Sequence, residues 1–325
     1  MRSVELFAGA GGLTLGVSQA GFLHEAVVER DEDACNTILR NKANGVAFVK
    51  DWPLWPRTDV REFDYAALPE RIDLLAAGPP CQPFSLGGKH RAYADERDMF
   101  PEVARAVKIL RRRAILIENV RGLVRESFSK YFSYILLRLS YPEITRTKAE
   151  NWTDHLDRLE KLHIRDKYEG LSYRLVFRVL NAADYGVPQR RDRVFIVGFR
   201  SDLGIEWSFP RPTHSSDALL WSQWIVGDYW EEHEVGTRQR PKPAVALRGR
   251  LERLESEGEP LFEERWLTVR DAIRGLPAPS VSTDLSSDHS LNPGARTYPG
   301  HTGSPLDEPA KTLKAGVHGV PRVRP

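Results

Sequence analysis

The sequence has very little cysteine and no long apolar run. Only two of its 325 residues are cysteines, Cys35 and Cys81, which is too few for a disulfide framework or a four-ligand zinc site built on thiols. No apolar stretch approaches the roughly 20 residues of a membrane-spanning helix, and no charged-then-apolar leader opens the chain. These absences predict a cytoplasmic protein without a membrane or metal partner, in which a thiol is free for chemistry.

The net charge is also small. It is +2, from 47 basic and 45 acidic residues. Basic residues cluster locally, for example at 111–113 and 190–193, but a solvated surface is the commoner explanation of such clusters. The global charge therefore neither requires nor excludes a nucleic-acid partner.

The first 200 residues alternate between strand-like and helix-like segments. Residues 4–7 are β-prone, a glycine-rich turn follows at residues 8–12, and residues 13–20 have a helical pattern. Further β-prone runs occur at 25–29, 72–77, 114–118, 173–180 and 193–198. This alternation predicts an α/β fold with a doubly wound, Rossmann-like sheet in a domain of residues 1–200, with a helical insertion at about 140–170.

The pattern changes in residues 201–325. Tryptophans occur there among many prolines, glycines and charged residues, without regular alternation. We expect a second, smaller and irregular region, which ends in a basic tail at residues 311–325.

The glycine turn is a candidate ligand-binding element. Glycine lets the backbone approach a ligand, and the following helix presents unpaired amides to an anionic group. Gly9, Gly11 and Gly12 do not follow the spacing of the dinucleotide fingerprint, which disfavours a nicotinamide-dependent oxidoreductase. Glu29, at the end of the second predicted strand, is placed to accept hydrogen bonds from a ribose, and Asp59 from an adenine amino group. A surface glutamate and a turn aspartate are the alternatives.

Cys81 is the candidate nucleophile. It follows the predicted strand 72–77 on a backbone stiffened by Pro79 and Pro80, at the carboxyl edge of the sheet. A buried structural cysteine is the usual alternative. The two prolines before it, and the glycines and charges at 87–91 after it, favour a thiol displayed in a loop.

Four sequence motifs follow one another along the first 200 residues. Together they resemble the motif set of bacterial cytosine-5 DNA methyltransferases of restriction-modification type, over about residues 3–200: Phe7-Ala8-Gly9-Ala10-Gly11-Gly12, Pro79-Pro80-Cys81-Gln82, Glu118-Asn119-Val120 and Gln189-Arg190-Arg191-Asp192-Arg193. Residues 268–273, 301–304 and 318–321 also resemble segments that many bacterial members carry. The resemblance implies that the predicted sheet is that of an S-adenosylmethionine-dependent methyltransferase.

The resemblance also implies catalytic roles. Cys81 would add to C6 of a cytosine flipped out of the duplex, which makes C5 nucleophilic enough to accept a methyl group. Glu118 would protonate or hydrogen-bond N3, and Arg191 and Arg193 would stabilise the developing charge. Further residues would support the base and the loop: Pro80, Gln82, Ser85, Asn119, Val120 and Gln189.

The implied cofactor is S-adenosylmethionine, with S-adenosylhomocysteine as product. Its methionine part would lie by the glycine turn, its ribose at Glu29 and its adenine near Arg30 and Asp59. Arg30 departs from the family pattern, which often has an apolar or aromatic residue there to stack on adenine. The expected cofactor-binding residues are Phe7, Ala8, Gly9, Gly11, Gly12, Leu13, Glu29, Arg30, Asp59, Val60 and Pro79.

The implied partners are double-stranded DNA and a cognate restriction endonuclease. Family members normally continue, after a run like residues 318–321, into a recognition region, an Arg-x-x-Thr-x-Arg-Glu motif and a closing helix. Their absence here leads us to expect that residues 201–325 form only part of a target-recognition region. We then expect a split enzyme with a second polypeptide, a truncated gene or a minimal enzyme, and poor duplex methylation by the chain alone.

Two alternative functions remain open from the sequence. One is an RNA cytosine-5 methyltransferase, although the Gln82-Pro83-Phe84-Ser85 continuation leans toward DNA. The other is a catalytically silent or weak subunit that supports a second chain. The intact Cys81, Glu118 and Arg191 argue against silence.

Overall fold

The computed structural model describes residues 1–80, 98–165, 167–260, 263–276 and 303–312. The chain divides into two compact units. The first comprises Met1–Val179 and Arg193–Phe209, and the second comprises Leu180–Asp192 and Pro210–Pro325. The boundary at residue 200 stays a prediction.

A seven-stranded sheet forms the centre of the first unit. Its strands are β1 (Arg2–Leu6), β2 (Leu23–Val28), β3 (Leu54–Trp55), β4 (Leu74–Ala77), β5 (Ala114–Val120), β6 (Tyr173–Asn181) and β7 (Asp192–Arg200). Their order is β3-β2-β1-β4-β5-β7-β6. Strands β1 to β5 pair in parallel, and β7 runs antiparallel to β5.

Helices cover both faces of this sheet. The helices of the first unit are α1 (Gly12–Gln19), α2 (Glu32–Ala43), α3 (Phe100–Leu110), α4 (Ser129–Ser140) and α5 (Trp152–Arg165). Alternate residues of a strand face opposite ways: Leu75 and Ala77 share the large core with α3 and α4, whereas Leu74 and Ala76 cluster with Val17 of α1. This confirms the predicted doubly wound α/β class.

Acidic residues begin α2. The side chain of Asp31 caps the helix by accepting a hydrogen bond from the amide of Ala34 at 2.9 Å. Glu32 and Asp33 lie in the first turn, where negative charge is favourable beside the positive end of the helix dipole. The cap fixes where the chain turns after β2, and therefore where Glu29 lies.

The second unit contains short helices around an aromatic core. A two-residue parallel pairing joins β8 (His214–Ser215) to β9 (Glu264–Arg265), and the helices are α6 (Ser216–Leu220), α7 (Asp228–Glu232), α8 (Arg248–Glu257) and α9 (Val269–Ile273). The side chains of Tyr229 and Trp230 are fully buried there. The region predicted as irregular thus has helices joined by long connections, and most of the basic tail lies outside the described residues.

The part of the chain that the structure describes holds no helix that is both long enough and apolar enough to cross a bilayer.

Candidate active site

The glycine turn leaves β1 with an unusual backbone. Phe7 has φ 59°, Gly9 has φ 56° and Gly11 has φ 89°. A side chain at positive φ is strained, and such strain concentrates at ligand-binding and catalytic turns. Gly11 also packs closely, because a Cβ atom there would lie 2.5 Å from Cζ3 of Trp52.

Glu29 connects the end of β2 to this turn. Its Oε2 accepts a hydrogen bond from the amide of Gly9 at 2.6 Å, and its Oε1 accepts from the amides of Arg30 and Asp31, both at 2.7 Å. A carboxylate has about four acceptor positions, two on each oxygen. Oε2 therefore retains capacity for a ligand hydroxyl, as the ribose prediction requires.

A cavity of about 530 Å³ opens at the carboxyl ends of these strands. Its lining comes from the glycine turn, the chain after β2, the turn at 58–61 and the chain after β4: Phe7, Gly9, Val28, Glu29, Arg30, Asp31, Thr58, Asp59, Val60, Arg61, Gly78, Pro80 and Met99. The structure thus brings together six of the predicted cofactor-binding residues, namely Phe7, Gly9, Glu29, Arg30, Asp59 and Val60. Sequence reasoning missed several others, Arg61 and Met99 among them.

The remaining predicted cofactor residues do not line the cavity. Ala8 is buried and packs with Trp52, and Leu13 packs in the cluster between α1 and the sheet. Gly11 and Gly12 form the start of α1. Pro79 is buried, and its neighbour Pro80 lines the cavity instead.

Asp59 is held by two arginines. Its Oδ1 accepts from the amide and Nε of Arg61, both at 3.0 Å, while its Oδ2 accepts from Nη2 of Arg61 at 2.6 Å and from Nη1 of Arg30 at 3.2 Å. The hydrogen bonds from the Arg61 side chain hold the pKa of Asp59 well below its usual value. All four acceptor positions of the carboxylate are in use. An adenine amino group must therefore displace one of these donors.

Glu118 and Arg193 meet across neighbouring strands. The register of β5 and β7 places Val120 opposite Arg193 and Glu118 opposite Phe195. Arg193 Nε lies 2.7 Å from Glu118 Oε1, and the two side chains are 18% and 25% exposed. Hydrogen bonds between charged groups are stronger than neutral ones. The structure thus pairs two of the four predicted catalytic residues at the carboxyl end of β5.

Asn119 ties this strand end to the chain that leads to Cys81. It is 2% exposed, its Nδ2 donates to the carbonyl oxygen of Pro79 at 3.1 Å, and its Oδ1 accepts from the amide of Val120 at 2.9 Å. Cys81 itself, with Gln82 and Ser85, lies outside the described residues.

Gln189 and Arg191 belong to the second unit. Strand β7 begins at Asp192, so Arg191 lies just before it rather than within it. The amide of Arg191 donates to Oδ1 of Asn181 at 3.0 Å, and Gln189 forms a parallel bridge with Ala310. The roles given to these two residues stay predictions.

One group of potential metal ligands comes together in the described part of the second unit. Ligand atoms of Glu232, His233 and Asp271 lie within 4.8 Å of one another. Arg265 donates to both oxygens of Asp271 at 2.8 Å and to Glu232 at 2.9 Å. A guanidinium therefore already neutralises these carboxylates, and this group does not favour a metal site.

The fold and the cavity define a doubly wound α/β domain with a ligand site at the carboxyl edge of its sheet, where ligands bind in this class. The model of the family described as C-5 cytosine-specific DNA methylase matches residues 1–141 and 150–260. The chain belongs to this family.

Three relatives illustrate the similarity. Type II methyltransferase M.NgoMIV of Neisseria gonorrhoeae is 36% identical, over 65% of this chain and 55% of its own length. M.AquIA of Picosynechococcus sp. is 35% identical, over 66% of this chain and 77% of its own length. M.PspPI of Psychrobacter sp. is 34% identical, over 65% of this chain and 42% of its own length. The similarity therefore spans about half the length of the first of these relatives and less than half of the third.

Proposed function

We propose that this chain is the catalytic part of a DNA (cytosine-5-)-methyltransferase of a restriction-modification system. The main observation behind the proposal is the Glu118–Arg193 ion pair at the end of β5. In the same strand, Asn119 donates a hydrogen bond to the carbonyl oxygen of Pro79, two residues before Cys81. The family match and the type II methyltransferases among the relatives support DNA cytosine as the substrate. Action on DNA in a bacterium favours the cytoplasm as its location.

The cavity fits the implied cofactor, S-adenosylmethionine. Its volume of about 530 Å³ is in the range of small-molecule sites. Glu29 has acceptor capacity for a ribose hydroxyl, and within the described part of the chain the amide of Val60 donates to no protein acceptor. Phe7, Gly9, Glu29, Asp59 and Val60 would hold the cofactor, which supplies an electrophilic methyl group when bound.

The mechanism follows from the chemistry of the residues. The Cys81 thiolate forms a bond to C6, and the electron pair of the C5–C6 double bond moves into the ring toward N3. Glu118 donates its proton or a hydrogen bond to N3 as that charge builds up, which makes C5 nucleophilic. After C5 has gained the methyl group, a solvent water takes up the C5 proton, and the electron pair of that C–H bond restores the C5–C6 double bond as the bond from C6 to sulfur breaks. N3 then returns its proton to Glu118, and the Cys81 thiolate is restored.

Arg193 keeps the Glu118 carboxyl oriented and balances its charge between turnovers. Arg191 would contribute a second positive charge, and Gln82, Ser85 and Gln189 would support the loop and the base. Because C6 is hidden inside a duplex, the target cytosine must flip out, which costs a few kcal/mol. A second polypeptide and a cognate endonuclease stay predictions.

A double-mutant cycle tests the role of the Glu118–Arg193 ion pair. We expect Glu118→Gln and Arg193→Met each to lower methyl transfer from tritiated donor to DNA by about 100-fold or more, because proton transfer and its electrostatic support are lost. The double variant should lose little beyond either single variant, since the pair acts as a unit. Arg174→Met, on the exposed side of β6, is the matched control and should keep its activity. Additive losses, or full activity of Glu118→Gln, would contradict the proposal.

A further inference from the structure

Arg105 of α3 contacts the turn at the Asp59 end of the cavity from behind. Its Nη2 donates to the carbonyl oxygen of Val60 at 2.7 Å and lies 3.4 Å from that of Arg61. Arg105 does not line the cavity, whereas Asp59, Val60 and Arg61 all do. The guanidinium can therefore act on a ligand only through this turn.

The guanidinium of Arg105 is itself fixed on two other sides. Its Nε donates to Oε2 of Glu102, one turn earlier in α3, at 2.6 Å. Its Cζ lies 5.1 Å from the centroid of the Tyr65 ring, within range of a cation–π interaction. Tyr65 is buried in the large core. Since α3 packs in the same core, Arg105 ties the turn to the rigid part of the unit.

Val60 lines the cavity, and its backbone amide is available as a hydrogen-bond donor. Its side chain is buried at 4% exposure, and among the described residues its amide has no protein acceptor. Adenine N1 is a hydrogen-bond acceptor, and the neighbouring 6-amino group is a donor. The Val60 amide, held at a fixed place, suits N1, and the Asp59 carboxylate beside it suits the amino group once that group displaces one of the arginine donors.

We infer that Arg105 is a positioning residue for adenine, which holds the Val60 amide where it can donate to N1. The inference rests on the proposed function, because it takes S-adenosylmethionine and its product as the ligands of this cavity. It adds a residue outside the cavity that governs how well the purine is recognised.

Calorimetric binding of S-adenosylhomocysteine and of its 1-deaza analogue, in which a C–H replaces N1, tests this inference on the full chain. Loss of one neutral hydrogen bond weakens binding about fivefold, so we expect the wild type to prefer the natural product by about that factor. In Arg105→Met the preference should fall to nearly one. Lys108→Met, an exposed cation one turn along α3, should keep the wild-type preference.

A merely structural role for Arg105 would weaken both ligands equally, and an unchanged preference in Arg105→Met would overturn the inference. If Arg105→Met does not fold, Glu102→Gln is the variant to test. It weakens the contact that holds the Arg105 guanidinium, so the preference for the natural product should fall partway toward one. An unchanged preference in Glu102→Gln would also overturn the inference. If the wild type binds neither ligand, the proposed cofactor is wrong, and that failure is distinct from an unchanged ratio.

Discussion

Single residues of the glycine turn are needed for different physical reasons. Gly9 and Gly11 both have positive φ, but only Gly11 has a neighbour where a Cβ would go. Gly12 starts α1 with an ordinary backbone, and a Cβ there would meet nothing within 4 Å. The three glycines of this motif therefore serve a strained turn, a close packing contact and a helix start, respectively.

Alanine substitutions separate these reasons. We predict that Gly9→Ala destabilises the chain by about 1–2 kcal/mol from backbone strain alone. Gly11→Ala should destabilise it more, by about 2–4 kcal/mol, because the methyl group also overlaps the Trp52 ring. Gly12→Ala, the control, should stay within about 0.5 kcal/mol of the wild type. Free energies of unfolding in urea measure all three, and equal values for Gly11→Ala and Gly12→Ala would contradict the packing argument.

The residue scale also shows what the sequence could predict of the site. Glu29 was predicted because chain segments that follow parallel strands meet at one edge of the sheet. Asp59 was predicted only from the ability of its carboxylate to accept a hydrogen bond from an adenine amino group, because no strand was predicted before it. Arg61 was missed, since its contact with Asp59 depends on a turn that folds the side chain back. Met99 was missed because it enters the cavity from the chain just before α3, far along the sequence from the other lining residues.

At the scale of elements, β1 and α1 are joined through a buried acid. Glu5 is fully buried, and its Oε1 accepts a hydrogen bond from Oγ1 of Thr14 at 2.8 Å. Its Oε2 has no hydrogen-bond partner in the described part of the chain. Burial raises the pKa of Glu5 to about 8. This carboxyl therefore stays largely protonated at neutral pH in the folded chain.

The raised pKa of Glu5 has a consequence for stability. Since the unfolded value is 4.5, the folded chain binds a proton between about pH 4.5 and 8 that the unfolded chain has lost, and stability from this group falls as pH rises through that window. Glu5→Gln keeps the acceptor for Thr14 and removes the titration. We predict that its gain in unfolding free energy over the wild type grows from pH 5 to pH 8, as urea titrations at each pH would show. A pH-independent difference would mean that Glu5 titrates normally.

Elements also show the limits of sequence patterns. The strands β1, β2, β4, β5, β6 and β7 were predicted nearly at their observed places, because their apolar runs are long enough to be recognised. The reversed direction of β7 was not predicted, since alternation does not encode direction. The two-residue β3 is too short for any pattern. Helices such as α8 in the second unit were missed because their neighbours are rich in proline and charge.

At the scale of the whole molecule, the match to the family model extends from the first unit into the second, up to residue 260. The cavity, the Glu118–Arg193 pair and nearly all of the sheet lie in the first unit, which therefore carries the chemistry of the proposal. DNA sequence is read by contacts to base edges. The resemblance assigns such contacts to a recognition region after residues 318–321, so the recognised sequence cannot be predicted from the residues that perform the chemistry.

The most direct test of the central claim is covalent trapping. DNA duplexes with 5-fluorocytosine in randomised contexts would be incubated with the chain and S-adenosylmethionine, and the adduct would be mapped by mass spectrometry. Fluorine at C5 cannot leave as a proton does, so the adduct accumulates even if turnover is slow. We predict an adduct on Cys81 with DNA, none with matched RNA and none in Cys81→Ser. An adduct on Cys35, an equal yield with RNA, or no adduct at all would contradict the assignment.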